Sequence, residues 1–195
     1  DYRVTSALPV HDAAQLAAAS NQVPADLAER YLALPDDFPQ SVRNLAQEVT
    51  AGATSGYDAA LRLQNFFRED FTYDLDVGSG HSEQAIEQFV FELRRGYCEQ
   101  FAGSFAAMAR SIGLPARVAV GFTPGDSQPA DPTLYRVRGE NAHAWPEVYL
   151  GEYGWVLFEP TPGRGAPFAE SYTGVPEQQE AAGGGGQTPT TALTP

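Results

Sequence analysis

The hydrophobic period of this chain changes once, at Gly113-Leu-Pro115, from the helical 3.6 to the extended 2, and that change restricts the folds open to it. Upstream, Val42, Leu45 and Val49 repeat at i, i+3 and i+7 before Gly52 stops the run. A second helix is expected over 58–69, where Ala60, Leu63 and Phe67 share a face. Ser82 is placed to cap a third, in which Ile86, Phe89, Val90 and Leu93 form one stripe that Gly96 ends. The next helix starts near Tyr97-Cys98, with Phe101, Phe105, Met108 and Ile112 on its buried face. Downstream of Pro115, Val118, Val120 and Phe122 alternate with Arg117, Ala119 and Gly121. Further strands are expected at 134–138, 143–150 and 155–159, the last two joined by Gly151-Glu-Tyr-Gly154. Helices first and then an antiparallel sheet is an α+β architecture.

At 195 residues, with 43% hydrophobic and 19% charged side chains, the chain suits one soluble domain. Residues 1–40 read as an N-terminal extension packing on a core over 41–168. Residues 169–195, with Gly183 to Gly186 in a row and then a Thr/Pro-rich end, read as a flexible linker that cannot offset its ordering entropy by burial. The first residue is Asp1, as expected of a processed or excised chain. No apolar run approaches the roughly 18 residues of a spanning helix.

The net charge of −13 repels phosphate backbones and argues against nucleic-acid binding. All twelve basic residues are Arg and none is Lys. One cysteine, Cys98, leaves no intrachain disulfide, CxxC zinc ribbon or iron–sulfur ligation open. No HExxH and no close His/Cys pair points to a metal, and Gly183 to Gly186 precede no helix that could bind phosphate, so no cofactor is expected.

A lone cysteine is often a small apolar core residue. Cys98, however, precedes Phe101 by three residues and Phe105 by seven, so it projects toward the same buried face from the first turn of its helix. Free N–H groups and the macrodipole there favour an anion, either a thiolate nucleophile or the oxyanion of a tetrahedral intermediate. A nucleophile needs a base. Of the histidines, His11 lies in the N-terminal segment and His81 in a Gly-rich turn, which suits surface roles, whereas His143 falls within an expected core strand. The carboxylate that would orient its imidazole is not Glu147, which lies roughly 13 Å along the same strand. Glu159 is on the next strand. Pairing Leu150 with Trp155 places Glu159 opposite Pro146, on the wrong face, but a one-residue shift places it opposite Trp145 and diagonal to His143. Pro146 cannot donate a ladder bond, which suits a bulge or an edge position. Cys98, His143 and Glu159 are therefore expected to form a triad. Tyr97 and Trp145 are candidates for lining the substrate cleft, unless they simply pack. Arg136 and Arg138 alternate on one strand face and either meet an acidic substrate group or pair with carboxylates.

Four segments carry a family resemblance: Gly96-Tyr-Cys-Glu-Gln-Phe-Ala102, Ala109-Arg-Ser-Ile-Gly-Leu-Pro-Ala-Arg-Val-Ala-Val-Gly-Phe122, Ala142-His-Ala-Trp-Pro-Glu-Val-Tyr149 and Gly154-Trp-Val-Leu-Phe-Glu-Pro-Thr-Pro162. Together they resemble the core of the transglutaminase-like superfamily over roughly residues 40–165, in particular bacterial membrane-anchored proteins with an extracytoplasmic transglutaminase-core domain. The resemblance implies a papain-like cysteine fold with Cys98 as nucleophile and His143 as base. Glu159 stands where most of the superfamily has Asp. It further implies flanking transmembrane helices and a place outside the cytoplasmic membrane. The reaction implied is acyl transfer on peptide or protein amides through a Cys98 thioester, with hydrolysis the first choice. Transglutaminase cross-linking to amines and a catalytically silent docking module of a membrane assembly are the alternatives.

Overall fold

A computed structural model describes residues 3, 5, 9–20, 22–77 and 85–179 of the chain. Seven α-helices are described: α1 (Ala13–Ala17), α2 (Ala25–Tyr31), α3 (Gln40–Val49), α4 (Gly56–Asp70), α5 (Ala85–Glu87), α6 (Cys98–Ser111) and α7 (Glu170–Thr173). The strands are β1 (Thr72–Tyr73), β2 (Arg95–Gly96), β3 (Ala116–Phe122), β4 (Asp126–Gln128), β5 (Asp131–Arg136), β6 (Ala142–Tyr149), β7 (Trp155–Leu157), β8 (Arg164–Gly165) and β9 (Gln178–Gln179). Helices precede the main sheet, so the expected α+β order is the observed one. That sheet is antiparallel, in the order β3-β6-β7, and α6 packs across β6 and β3.

The core lies between α6, α3, α4 and the sheet. Every third or fourth residue of α4 is turned inward, with Ala60, Leu63 and Phe67 fully buried. Phe67 meets Phe71, Phe89 and Phe101 at ring-centroid separations of 5.0, 6.0 and 6.2 Å. Burying each such ring contributes about 1.5–3 kcal/mol relative to leaving it in water, and the cluster ties α4 to the start of α6. Helix α1 joins this core through Leu16, and its first N–H groups at Ala14 and Gln15 donate to the Asp12 carboxylate.

Several local expectations change. The third helix becomes three α-helical residues followed by a π-helical turn, Gln88–Leu93, closed by Arg94 at φ +48° with its N–H on the Phe89 carbonyl (3.0 Å). The wider turn lets the adjacent residues Phe89 and Val90 both reach the core. Gly96 does not end that helix but sits in β2. Ser82 and His81 lie outside the described residues. The strand expected at 134–138 is β5, paired with β4 in a separate hairpin, and the one expected at 155–159 stops at Leu157. The chain does not leave the domain at Phe168: α7 and the β8–β9 pair carry the fold on to Gln179, with Tyr172, Thr173 and Val175 buried. Short runs of isolated apolar residues escape a periodicity test, yet each finds a partner here, as when the Tyr57 hydroxyl donates to the Tyr172 carbonyl.

Candidate active site

Cys98 is set in place from both sides. Ahead of it, β2 pairs in parallel with β1, Gly96 opposite Tyr73, which ties the approach to α6 to the end of α4. Behind it, the Gln100 side chain folds back so that its Oε1 accepts from the Tyr97 N–H (2.9 Å). A β-carbon at Gly96 would meet Gln100 Oε1 and crowd the Phe89 ring, so glycine leaves the space into which that side chain folds back. The first hydrogen bonds of α6 run from the N–H groups of Gln100 and Phe101 to the Tyr97 carbonyl (2.9 and 3.3 Å). The N–H groups of Cys98 and Glu99 precede them and have no hydrogen-bond partner among the described residues. Cys98 itself is partly exposed, at the solvent end of the face that buries Phe101 and Phe105.

His143 stands near the start of β6 and is only 5% exposed. Its Nε2 lies 2.7 Å from Glu159 Oε2, and Glu159 is 2% exposed. The register is the shifted one: Tyr149 opposite Trp155, Val148 opposite Val156 and Glu147 opposite Leu157. Pro146 is neither at a bulge nor on an edge, contrary to expectation; β6 is the central strand. Its missing N–H faces Phe158, whose own N–H still donates to the Pro146 carbonyl (3.0 Å). One of the two bonds of that pair is thereby lost at the point where β7 ends. The chain then leaves the ladder and turns Glu159 toward His143. The second carboxylate oxygen of Glu159 accepts from the Thr161 N–H (3.0 Å).

Burial of the imidazole disfavours its charged form, but the hydrogen bond to Glu159, the neighbouring Cys98 side chain and the charges of both outweigh that and raise the His143 pKa to about 9. Nε2 is committed to Glu159 and Nδ1 has no hydrogen-bond partner among the described residues, so Nδ1 is the nitrogen still available to Cys98. Such an arrangement can keep an imidazolium beside a sulfur nucleophile at neutral pH and deliver a proton to a leaving group.

The remaining candidates separate. Tyr97 and Glu99, which flank Cys98, line a groove of about 760 Å³ between α6 and the Ala33–Pro39 segment. Cys98, His143 and Trp145 do not border that groove; the Trp145 ring is instead 6.0 Å from the His143 ring and packs over Gly121. Arg138 pairs with Asp126 (2.6 Å) and Glu140 (3.6 Å), and Glu147 pairs with Arg117 (2.6 Å), away from His143. Arg136 lies exposed on β5. His11 is not a surface group: it is 8% exposed, edge-on to Tyr153 and Tyr172, and burial lowers its pKa. Gln64 and Arg68 of α4, which the sequence reading passed over, reach the Glu159 segment. The available signal was a polar residue, Gln64, inside the apolar stripe of Ala60, Leu63 and Phe67. Among the described residues no group of three His, Cys, Asp or Glu is placed to hold a metal, and no helix is long and apolar enough to cross a membrane.

The transglutaminase-like superfamily profile matches residues 43–160. Over 172 residues the chain is 34% identical to YebA of Bacillus subtilis (strain 168), covering 84% of this chain and 23% of that protein. Over 133 residues it is 36% identical to a protein-glutamine gamma-glutamyltransferase of Pseudomonas aeruginosa, covering 68% of this chain and 20% of the relative. The chain thus spans about a quarter or less of the length of these curated relatives. Among solved structures, the periplasmic domain of TgpA from Pseudomonas aeruginosa superimposes with a TM-score of 0.64 at 29% identity, over 71% of this chain and 48% of that one.

Proposed function

The chain belongs to the transglutaminase-like superfamily, and from that premise we propose that it catalyses acyl transfer on peptide or protein amides through a thioester on Cys98. The observation that carries the proposal is the buried His143–Glu159 pair, 2.7 Å apart, behind a cysteine at a helix N-terminus. The Cys98 sulfur attacks the amide carbonyl carbon, and the oxyanion so formed is met by the free N–H groups of the first turn of α6. His143 enters protonated and gives its proton to the leaving nitrogen as the carbon–nitrogen bond breaks. In the second half-reaction the neutral imidazole takes a proton from the incoming nucleophile, and the thiolate leaves as the thioester is cleaved. Glu159 keeps the ring oriented and stabilises its charge throughout.

Water as the acceptor, giving hydrolysis, is the first reading, because it needs no dedicated acceptor site. A primary amine, giving a cross-link, is the second, favoured by the likeness to a relative named a protein-glutamine gamma-glutamyltransferase. Likeness to a periplasmic domain supports an extracytoplasmic location, as part of a longer membrane-anchored protein. The test is to incubate the chain with glutamine-containing peptides, with and without a small primary amine, and to analyse the products by mass spectrometry. Acid or cleaved products denote hydrolysis and amine adducts denote transamidation. Products that persist unchanged with Cys98→Ala would refute the proposal.

A further inference from the structure

Glu159 lies two residues beyond the end of β7, the edge strand of the sheet, and the ladder to β6 does not extend to its main chain. Side chains of α4 take over. The Glu159 N–H donates to Gln64 Oε1 (3.1 Å), and the Glu159 carbonyl accepts from Arg68 Nη1 (3.1 Å). Positions 64 and 68 are one helical turn apart, so a single face of α4 offers an acceptor and a donor much as a strand edge would. Both are anchored. Gln64 is fully buried and its amide nitrogen donates to the Thr173 carbonyl (2.9 Å). Arg68 also binds the carbonyls of Thr161 (2.6 Å) and Arg164 (3.0 Å). Thr161 is in turn the residue whose N–H orients the Glu159 carboxylate (3.0 Å).

We infer that Gln64 and Arg68 are positioning residues of the triad: they fix the main chain on both sides of Glu159 and so set the distance at which its carboxylate meets His143. The inference rests on the triad reading above. The ionisable groups that face the pair are Cys98 from α6, which acts on His143, and Arg68 from α4, which acts on Glu159. Arg164 on β8 is buried but donates to the Glu140 carbonyl (3.3 Å) and lies over the Tyr73 ring.

Gln64→Met removes the acceptor at nearly constant volume. The expected result is a kcat lowered by about tenfold or more with KM within about twofold, because the lost interaction serves the ring rather than the substrate. The midpoint of the His143 ring, followed by NMR against pH, should move down by about one unit or more. Arg68→Met should do the same, and Arg68→Lys, whose ammonium can donate to three carbonyls from one atom, should restore most of both readouts. In a Glu159→Gln background, Gln64→Met should leave the midpoint where it is. The inference is overturned if the midpoint stays near its wild-type value in whichever of Gln64→Met and Arg68→Met folds, as judged by its thermal transition. The NMR readout needs no turnover, so a wild type without amide chemistry but with a midpoint that responds to Gln64→Met would refute the proposed reaction and uphold the positioning role.

Discussion

Replacing His143 by Gln separates the electrostatics of this site from the rest of the molecule. In the folded chain the His143 pKa is raised to about 9, against 6.5 for an unperturbed imidazole. Folding therefore favours the protonated ring. Its contribution is fully present below pH 6.5 and disappears as the pH rises through 9. A difference of this size at about 1.36 kcal/mol per unit corresponds to about 3 kcal/mol. Because His143 is only 5% exposed, solvent screening takes little from that figure. The assay is the unfolding free energy in urea of wild type and His143→Gln at pH 6 and at pH 10, compared as a difference at each pH. His11 titrates in the opposite sense, since burial lowers its pKa, but it is common to both proteins and cancels. The wild-type advantage should shrink by about 3 kcal/mol between the two pH values. An advantage that changes by less than about 1 kcal/mol would show that Cys98 and Glu159 do not hold a charged imidazole, and would remove the basis for His143 acting as an acid.

Glu159→Asp withdraws the carboxylate by about 1.5 Å, from 2.7 Å to beyond hydrogen-bond distance of His143 Nε2. Turnover should fall on the order of 100-fold with the thermal transition little changed; full activity would mean that the orienting group lies elsewhere. Phe67→Ala should cost about 3–5 kcal/mol in urea unfolding, because it empties the centre of the phenylalanine cluster, and a loss below about 1 kcal/mol would contradict the packing described. The chain has no lysine, so denaturing gels of the purified protein incubated alone should show no covalent oligomers that resist a reducing agent. Their appearance would contradict the chemistry proposed for amine acceptors.

Much of this was legible in the residues taken in order. The start of α6 at Cys98, the switch to extended structure at Ala116 and the placing of His143 on a core strand follow from periods that a few residues establish locally. Glu159 was legible only conditionally. Its selection depended on a register that differs by one residue between success and failure, and the observed pairing of Tyr149 with Trp155 is a property of two strands and the turn between them. The π-helical turn at Gln88–Leu93, the burial of His11 and the ordered segment through Gln179 were not legible, since each depends on what the rest of the fold places opposite it.

Sequence alone determined the class of the fold, singled out Cys98 and His143 as the candidate nucleophile and base, and excluded disulfide and zinc-ribbon chemistry, because those rest on residue type, count and short-range period. Tertiary structure decided how the third group is held. Gln64 and Arg68 are more than 90 residues from the main-chain groups they bind at 159. Neither a period nor a motif reaches across that distance. Only the fold brings α4, with its donor and acceptor, to the segment that follows β7, and through it the carboxylate to His143.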